Sequence, residues 1–262
     1  PERLGSELFL ARLSHMNVSF ITIDEAHCIS QWGYDFRPAY RQIATVRKLL
    51  PDAPILALTA TATPRVAEDI RRQLEFRPTG QTFQMSFARD NLSYIVRATE
   101  NKEAELLHIL NSVRGSAIIY TRSRDGAREL AKALNAAGVS AFYYHAGLTN
   151  LDKDVRQKSW QQGQTRVMVA TNAFGMGIDK ADVRLVIHFE MPDSIEAYYQ
   201  EAGRAGRDGK RAYAVLLHSK ADSGKLKRRI NETFPAIDFI RRIYEHLAYY
   251  YEMAKGDGEG IT

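Results

Sequence analysis

The chain has 262 residues, of which 45% are hydrophobic and 26% charged, and its formal net charge is +5. These values are typical of a globular protein with one large or two modest cores, and the mild basic excess is compatible with a polyanionic partner. A single cysteine, Cys28, excludes an intrachain disulfide and a cysteine-based zinc site, and without an apolar run of about 18 residues no membrane span is expected.

The first third of the chain alternates between helical and strand patterns. Apolar residues at helical spacing predict a helix over residues 4–16, and the apolar run 18–23 predicts a buried strand of a parallel sheet. The polar and aromatic stretch 28–38 is predicted to be a loop, because Gly33 and Pro38 interrupt it. Further elements are expected as a helix at 38–50, a strand at 55–58 and a helix at 64–74.

A domain boundary is expected near residues 86–91, and strands and helices alternate again beyond it. This order with short connections predicts a parallel sheet with right-handed crossovers. Gly138 suits the position just after a helix end. The expected strands are 92–98, 116–120, 140–144, 166–170, 184–189 and 212–218, and the expected helices are 101–113, 124–137, 150–161 and 194–202.

The pattern changes after Ser219. Residues 220–229 are basic, and residues 236–254 carry apolar side chains at helical spacing that we expect to pack against another part of the protein. The aromatic run 249–251 is expected to lie in a core rather than to stack on a ligand. The tail 256–260 is expected to be a loop or a frayed end.

Two adjacent carboxylates, Asp24 and Glu25, follow the first predicted strand. Open α/β sheets bind ligands at the carboxyl ends of their strands, so this position suits nucleotide hydrolysis. Asp24 would hold Mg²⁺ directly or through water, and Glu25 would orient the attacking water. His27 would report the state of the site to neighbouring segments. The alternative is a strand followed by an acidic helix cap.

Five stretches of this sequence resemble the motifs of RecQ helicases, and they occur in the family's order over roughly residues 1–220. They are residues 24–38 (the DEAH box and aromatic-rich loop), 58–63 (motif III), 144–148 (a segment of the second motor domain), 170–180 (motif V) and 199–209 (motif VI).

The resemblance implies an α/β fold with two RecA-like parallel-sheet domains. Residues 1–87 would be the C-terminal half of the first domain, which is therefore truncated. Residues 88–220 would be the second domain. Residues 221–262 would be a short helical segment, the start of a zinc-free C-terminal region, since this stretch contains no cysteine.

The resemblance also implies a nucleotide site shared by the two domains. Arg207 would be an arginine finger with Arg204 as its companion, and such a finger is worth about 10³ to 10⁵ in rate. Gln200 would link the nucleotide to the other motifs, and Gly177 and Asp179 would face the nucleotide. The alternative for the arginine pair is a solvated basic turn.

A second set of residues would bind DNA. In the aromatic-rich loop, Trp32 and Phe36 would stack on the bases of a single strand with Arg37 beside them, at about 1–3 kcal/mol per stacked base. The alternative is that both rings fill a hydrophobic gap. Thr171 would donate to a DNA phosphate.

Four further residues follow predicted strands. Thr59 and Thr61 of motif III would couple the nucleotide and DNA sides, with strand-end capping as the alternative. His145 and Arg122 would contact the DNA backbone. A structural histidine and a surface charge are the respective alternatives.

The activity implied is that of an ATP-dependent 3′–5′ DNA helicase in DNA repair and recombination, with ATP and Mg²⁺ as cofactors and no zinc in this chain. Its partners would be single-stranded DNA, duplex or forked DNA and a single-stranded DNA-binding protein. The protein would be a cytoplasmic monomer, associated with the nucleoid if bacterial. The alternatives are an RNA-directed motor of superfamily two and a non-catalytic nucleic-acid-binding fragment.

The sequence contains no Gly-Lys-Ser or Gly-Lys-Thr of a phosphate-binding loop. It also starts at Pro1 without an initiator methionine. We therefore expect the chain to be a fragment whose phosphate-binding loop lies before Pro1, and we expect no useful ATP turnover from the chain alone.

Overall fold

The computed structural model describes residues 1–33, 35–175 and 178–251. The predicted tail at 256–260 therefore lies outside the described residues. The strands are Ile21–Ile23 (β1), Ile55–Ala57 (β2), Leu92–Ala98 (β3), Ser116–Tyr120 (β4), Ala141–Tyr144 (β5), Val167–Ala170 (β6), Val183–His188 (β7) and Ala212–His218 (β8). The helices are Glu7–Leu13 (α1), Ile43–Leu49 (α2), Pro64–Gln73 (α3), Lys102–Ser112 (α4), Arg124–Ala136 (α5), Asn150–Gln161 (α6), Ile195–Ala202 (α7), Lys220–Thr233 (α8) and Ile237–Tyr250 (α9).

The first part of the chain contains a two-stranded parallel sheet, in which Ile23 pairs with Ala57. Its small core is apolar and includes Ile29, Ile70 and Leu74. The six-residue strand predicted over 18–23 is too long. Its first half lies outside β1, because the side chains there gain little burial.

The second part of the chain contains a six-stranded sheet in the order β3-β8-β7-β4-β6-β5, and every pairing in it is parallel. The predicted strands of this part are confirmed to within one residue at each end. The central strand β4 is buried along its whole length, as expected for a strand with helices on both faces. Two apolar cores, one including Leu106 and Leu110 and the other Trp160 and Phe174, pack against it.

Short polar side chains set where the helices begin. In each case the residue before the helix accepts a hydrogen bond from a backbone N–H of the first turn, which would otherwise lack a partner. Gly138 follows the end of α5 with a φ of +80°, the left-handed conformation that glycine adopts without strain. The capping residues are Thr63 for α3, Asn101 for α4, Ser123 for α5, Thr149 for α6 and Ser194 for α7.

The last two helices differ in how they are held. Asp222 of α8 lies 2.7 Å from the ammonium of Lys102, and this nearly buried ion pair joins α8 to α4. In contrast, α9 exposes its apolar side chains, with Tyr249 at 89% and Tyr250 at 80% exposure. The prediction that this helix and its tyrosines pack in a core is wrong for the described chain, because no described element covers that face.

None of the helices that the structure describes is both long enough and apolar enough to cross a lipid bilayer.

Candidate functional site

The acidic pair lies at the carboxyl end of β1. Asp24 is exposed, and its Oδ1 accepts a hydrogen bond of 2.9 Å from the backbone N–H of Glu25. Glu25 has a φ of +50° and a ψ of +44°, which is a left-handed conformation uncommon for any residue except glycine. Such a backbone costs about 1–3 kcal/mol and clusters at functional sites. The turn is held from the next residue, since the N–H of Ala26 donates to the carbonyl of Leu58 at 2.9 Å.

His27 connects the acidic pair to the end of β2. Its Nδ1 lies 3.0 Å from Oγ1 of Thr59 and 3.4 Å from Oε2 of Glu25. Burial lowers the pKa of His27, and Asp35 opposes that shift only in part. Because the imidazole is nearly inaccessible to solvent, we infer that it is neutral at pH 7. Thr61 is also buried, and within the described residues its Oγ1 has no hydrogen-bond partner.

Of the two rings in the aromatic-rich loop that are predicted to stack on bases, one is exposed. Trp32 is 57% exposed, so the alternative of a gap-filling side chain does not describe it. The guanidinium of Arg65 lies 3.5 Å from the centre of the Trp32 ring. Phe36 is half-buried, with the guanidinium of Arg41 at 5.2 Å from its ring centre. The base of the loop is fixed by Ser30.

That fixing contact is a buried hydrogen bond of 2.6 Å, which the hydroxyl of Ser30 donates to Oδ2 of Asp69 in α3. Burial alone would raise the pKa of Asp69, but the bonds from Ser30 and Arg72 hold it below its ordinary value. Asp69 therefore remains ionised and accepts both bonds. The aromatic-rich loop is thus attached to the helix that follows motif III.

Arg37 donates from Nε and Nη2 to Oδ2 of Asp35, at 3.1 and 2.7 Å. The ligand atoms of His27, Cys28 and Asp35 all lie within 4.8 Å of one another. Burial, and then the charge of Asp35, raise the pKa of the Cys28 thiol to about 11, so the sulfur keeps its proton. We read this cluster as a hydrogen-bonded anchor of the loop.

On the six-stranded side, residues 203–209 form the arginine loop, which follows α7. Arg204 is buried, and its Nη1 donates to the carbonyl of Gly175 at 2.6 Å. Arg207 is 40% exposed and pairs with Oδ1 of Asp179 at 3.0 Å. Within the described residues, the buried Nε of Arg204 has no acceptor. Gly177, the other predicted nucleotide contact in this region, lies outside the described residues.

The acidic pair and the arginine loop face each other. Nε2 of Gln200 lies 3.3 Å from Oε1 of Glu25, although 175 positions separate them in sequence. Burial and the charge of Asp24 raise the pKa of Glu25, and the charge of Arg204 pulls it back down. The structure therefore brings together Asp24, Glu25, Gln200 and Arg204.

Three predicted DNA contacts lie along one edge of the six-stranded sheet. Thr171 follows β6, the neighbouring strands β4 and β5 are followed by Arg122 and His145, and the carboxyl ends of parallel strands share an edge. Arg122 already pairs with Asp193 at 2.6 Å. Burial and the charge of Arg124 lower the pKa of His145, so this imidazole is neutral at pH 7.

Two contacts beside this site were not predicted from the sequence. Nε2 of His188 lies 2.8 Å from Oε2 of Glu201, and the hydroxyl of Tyr120 donates to the carbonyl of Phe174 at 2.9 Å. His188 ends β7 and Tyr120 ends β4, so both polar groups sit at the same sheet edge as the predicted residues. Their position at strand ends was the signal that could have revealed them.

The donors and acceptors of this site fit a polyphosphate with a divalent cation. An exposed carboxylate at a strand end, Asp24, is the oxygen ligand that Mg²⁺ prefers. A buried guanidinium nitrogen of Arg204 that has no acceptor among the described residues suits an anionic oxygen. The Gln200–Glu25 contact of 3.3 Å joins the two parts of the chain that carry these groups.

Comparison with protein families gives two matches. The family described as "DEAD/DEAH box helicase" matches residues 1–70, and the family "Helicase conserved C-terminal domain" matches residues 101–209. Among solved structures, yeast (S. cerevisiae) Dbp5 L327V bound to RNA and ADP BeF3 is similar, with a TM-score of 0.65 and 22% identity over 92% of this chain and 67% of that chain. This structural similarity shows the fold alone.

Three relatives are far closer in sequence. ATP-dependent DNA helicase RecQ of Pasteurella multocida (strain Pm70) is 45% identical over 88% of this chain and 37% of its own length. RecQ of Bacillus subtilis (strain 168) is 45% identical over 85% and 38%, and RecQ-like DNA helicase BLM of Xenopus laevis is 46% identical over 79% and 16%. The chain thus spans somewhat over a third of the length of the bacterial relatives.

The parallel sheets, the facing acidic and arginine groups and both family matches define the class. The chain carries the motor sequence of a superfamily-two helicase with a DEAH box. Within that class, its identity of about 45% with RecQ proteins over most of its length places it in one family. The chain belongs to the RecQ family of helicases.

Proposed function

We propose that the protein containing this chain is an ATP-dependent 3′–5′ DNA helicase that couples ATP hydrolysis to translocation on single-stranded DNA. The observation that supports this most directly is the contact between Gln200 and Glu25, because it joins motif VI to the DEAH box at 3.3 Å. The charge of Arg204 acts on Glu25 across the same gap. The names of the relatives support the same activity.

Each side of the site would have its own task. Asp24 would hold Mg²⁺, which when bound neutralises charge on the phosphate oxygens. Glu25 would orient the attacking water, and its ionised form is needed for that role. Arg207 would leave Asp179 to reach the transferring phosphoryl group, while Arg204 remains the buried companion. Stabilisation of charge at that point is the main source of rate in phosphoryl transfer.

DNA would lie against the edge that carries Arg122, His145 and Thr171, and its bases would reach the aromatic-rich loop. The exposed ring of Trp32 supports stacking there. DNA contact at this loop would change the position of groups at the nucleotide site, because His27 bonds to Thr59 beside the acidic pair.

The substrates would be single-stranded DNA and duplex or forked DNA, and the role would be DNA repair and recombination. We keep as further proposals a monomeric state, a single-stranded DNA-binding protein as partner, and a cytoplasmic location, at the nucleoid if the source is bacterial. We also propose the division of the chain into residues 1–87, 88–220 and 221–262, which the separate sheets support.

Two other functions lead to different measurements. An RNA-directed motor is the first alternative, and the aromatic-rich loop argues against it. A non-catalytic nucleic-acid-binding piece would describe the chain when it is separated from a phosphate-binding loop.

The test compares the full-length protein with the chain. The full-length protein should hydrolyse ATP faster with single-stranded DNA than with RNA of the same sequence. Stronger stimulation by RNA would contradict the proposal. The 262-residue chain should bind DNA with an affinity that falls steeply with salt, and should show no useful turnover. DNA-stimulated turnover by the chain alone would overturn that second expectation.

A further inference from the structure

The arginine loop has little rigidity of its own. It contains three glycines, of which Gly206 has a φ of +61° and Gly209 a φ of +77°. Glycine-rich backbone is conformationally free, so the directions of Arg204 and Arg207 depend on whatever holds the loop. Neighbouring elements contribute several bonds, among them one of 2.9 Å from the N–H of Gly206 to the carbonyl of Val183. Further support comes from a distant part of the chain.

That support is given by two side chains just before β3. Nη1 of Arg89 donates to the carbonyl of Gly203 at 3.0 Å, and its Nη2 donates to the carbonyl of Gly206 at 2.6 Å. Nδ2 of Asn91 donates to the same Gly206 carbonyl at 2.7 Å and to the carbonyl of Lys210 at 2.9 Å. One planar guanidinium therefore bridges two carbonyls on either side of Arg204, a geometry that a lysine cannot reproduce.

The fit around Gly206 is close enough to exclude any larger residue. A Cβ placed on Gly206 would lie 2.6 Å from Nδ2 of Asn91 and 2.9 Å from Cβ of Ala212. The glycine is thus required both by its positive φ and by the amide that presses against it. The contact between the Asn91 amide and Gly206 therefore depends on close packing and is not made by a mobile surface side chain.

The same short segment, residues 87–91, also contacts α7, the helix that precedes the arginine loop. The hydroxyl of Tyr199 in α7 donates to the carbonyl of Phe87 at 2.8 Å, and the two rings meet edge to face at 5.5 Å. Residues 87–91 therefore contact motif VI on both sides of Arg204. In sequence, this segment ends the connection that leaves α3 of the two-stranded side.

We propose that Arg89 and Asn91 are positioning residues for Arg204 and Arg207, and that they transmit movement of the connecting segment to the arginine loop. The inference rests on the proposed function, because it assigns the two side chains a part in presenting the arginines to phosphate. They act through the loop carbonyls and touch no reacting atom. A shift of about 1 Å far from the chemistry can cost about 10²-fold in rate.

The first experiment measures amide hydrogen exchange in the 262-residue chain. Arg89→Ala should raise exchange across residues 203–209 by roughly 10- to 10²-fold, since it removes two hydrogen bonds from a charged donor and each is worth about a factor of ten. Exchange in β4 should not change. Asp90→Ala is the matched control, because Asp90 is exposed between the two positioning residues. Unchanged exchange in the loop of Arg89→Ala would overturn the proposal.

The second experiment measures DNA-stimulated ATP hydrolysis in the full-length protein. Arg89→Ala should lower kcat by about 10²-fold and leave the KM for ATP near that of the wild type. Added guanidinium ion should restore part of kcat in Arg89→Ala. It should restore none in Asn91→Asp, where a carboxylate would face the Gly206 carbonyl.

The results distinguish failure of the positioning role of Arg89 and Asn91 from failure of the proposed helicase function. A kcat that stays at the wild-type level in Arg89→Ala, or one that falls without rescue while exchange is unchanged, would contradict the positioning role. If the wild-type protein hydrolyses no ATP with DNA, the proposed function fails. The exchange experiment then decides by itself whether Arg89 and Asn91 order the loop.

Discussion

The two sheets of this protein support their functional groups in opposite ways. In the six-stranded sheet, every residue of β4 and β6 is buried, and the arginine loop is tied down by side chains from a distant segment. In the two-stranded sheet, only Ile23 is buried among the strand residues. An apolar cavity of about 740 Å³ adjoins β2, and its lining includes residues 54–60 and 79–87.

This difference in packing indicates which of the two groups, the acidic pair or the arginine loop, can change position more easily. The carboxylates of Asp24 and Glu25 sit at the end of a three-residue strand with a strained backbone, whereas the arginines sit on a well-packed body. If the distance between the acidic pair and the arginine loop changes, we therefore expect the backbone around the acidic pair to move more. We expect the arginine loop to follow the movement of residues 87–91, which hold it against the six-stranded side.

The largest expected effect is on the arginine side. In the full-length protein, Arg207→Ala should lower ATP turnover by about 10³- to 10⁵-fold, because the finger stabilises charge that develops only during transfer. ATP binding should stay largely intact, as measured by equilibrium binding of a fluorescent nucleotide. Loss of binding instead of turnover would mean that Arg207 is not a finger, and Lys210→Ala serves as the control for a nearby exposed cation.

The next largest effect is on stability, and it compares how tightly the two sheets are packed. Ile119→Ala, in fully buried β4, should lower the free energy of unfolding by about 2–5 kcal/mol. Leu56→Ala, at a residue 50% exposed in β2, should change it by less than about 0.5 kcal/mol. Urea denaturation of the 262-residue chain measures both. Equal losses would show that the two-stranded side is as tightly packed as the other.

A smaller effect concerns DNA. Trp32→Ala should weaken binding of single-stranded DNA by about 1–3 kcal/mol, which is roughly 5- to 150-fold in Kd, because a base loses its stacking surface. Tyr249→Ala provides a control at another exposed ring, on α9. Fluorescence anisotropy of a labelled oligonucleotide at fixed salt gives both affinities. If the two variants lose equal affinity, the aromatic-rich loop has no special part in binding.

The smallest effect tests whether the two sides face each other in solution. The pKa of Glu25 should lie above the ordinary glutamate value because of burial and the charge of Asp24. The acidic limb of the rate profile should therefore lie at higher pH than for an ordinary glutamate, since a protonated carboxyl cannot orient water as a base. The pKa should rise further in Arg204→Gln, which removes a positive charge that lowers it.

Carbon-13 NMR of labelled glutamate carboxyl groups in the chain follows this titration directly. Arg97→Gln is the control for loss of a distant, exposed arginine. If the pKa of Glu25 is the same in Arg204→Gln and the wild type, Arg204 does not lie close to Glu25 in solution. That result would contradict the proposed shared site.

Local sequence patterns were enough to predict most of the six-stranded side. The bounds of β3, β4, α6 and β8 were correct to the residue, because continuous apolar runs and short polar caps determine them locally. The exposure of α9 could not be predicted in this way. Amphipathic spacing shows that a face is apolar, but not whether another element covers it.

The site was predictable in part for a related reason. Motif spacing pointed to Asp24, Glu25 and the two arginines, and in the structure the charge of Arg204 acts on Glu25. The left-handed backbone of Glu25 and the grip of Arg89 on the arginine loop depend on contacts between residues far apart in sequence. No pattern within a short window carries that information.

The two tryptophans of this chain give it a natural pair of optical probes. Trp160 is fully enclosed and donates its indole N–H to the carbonyl of Ala117, whereas Trp32 stands in the aromatic-rich loop under a guanidinium. Emission from the enclosed indole should be blue-shifted and insensitive to acrylamide, and emission from the other red-shifted and readily quenched. An unlabelled sample can thus report occupancy of the loop and integrity of the larger core in a single spectrum.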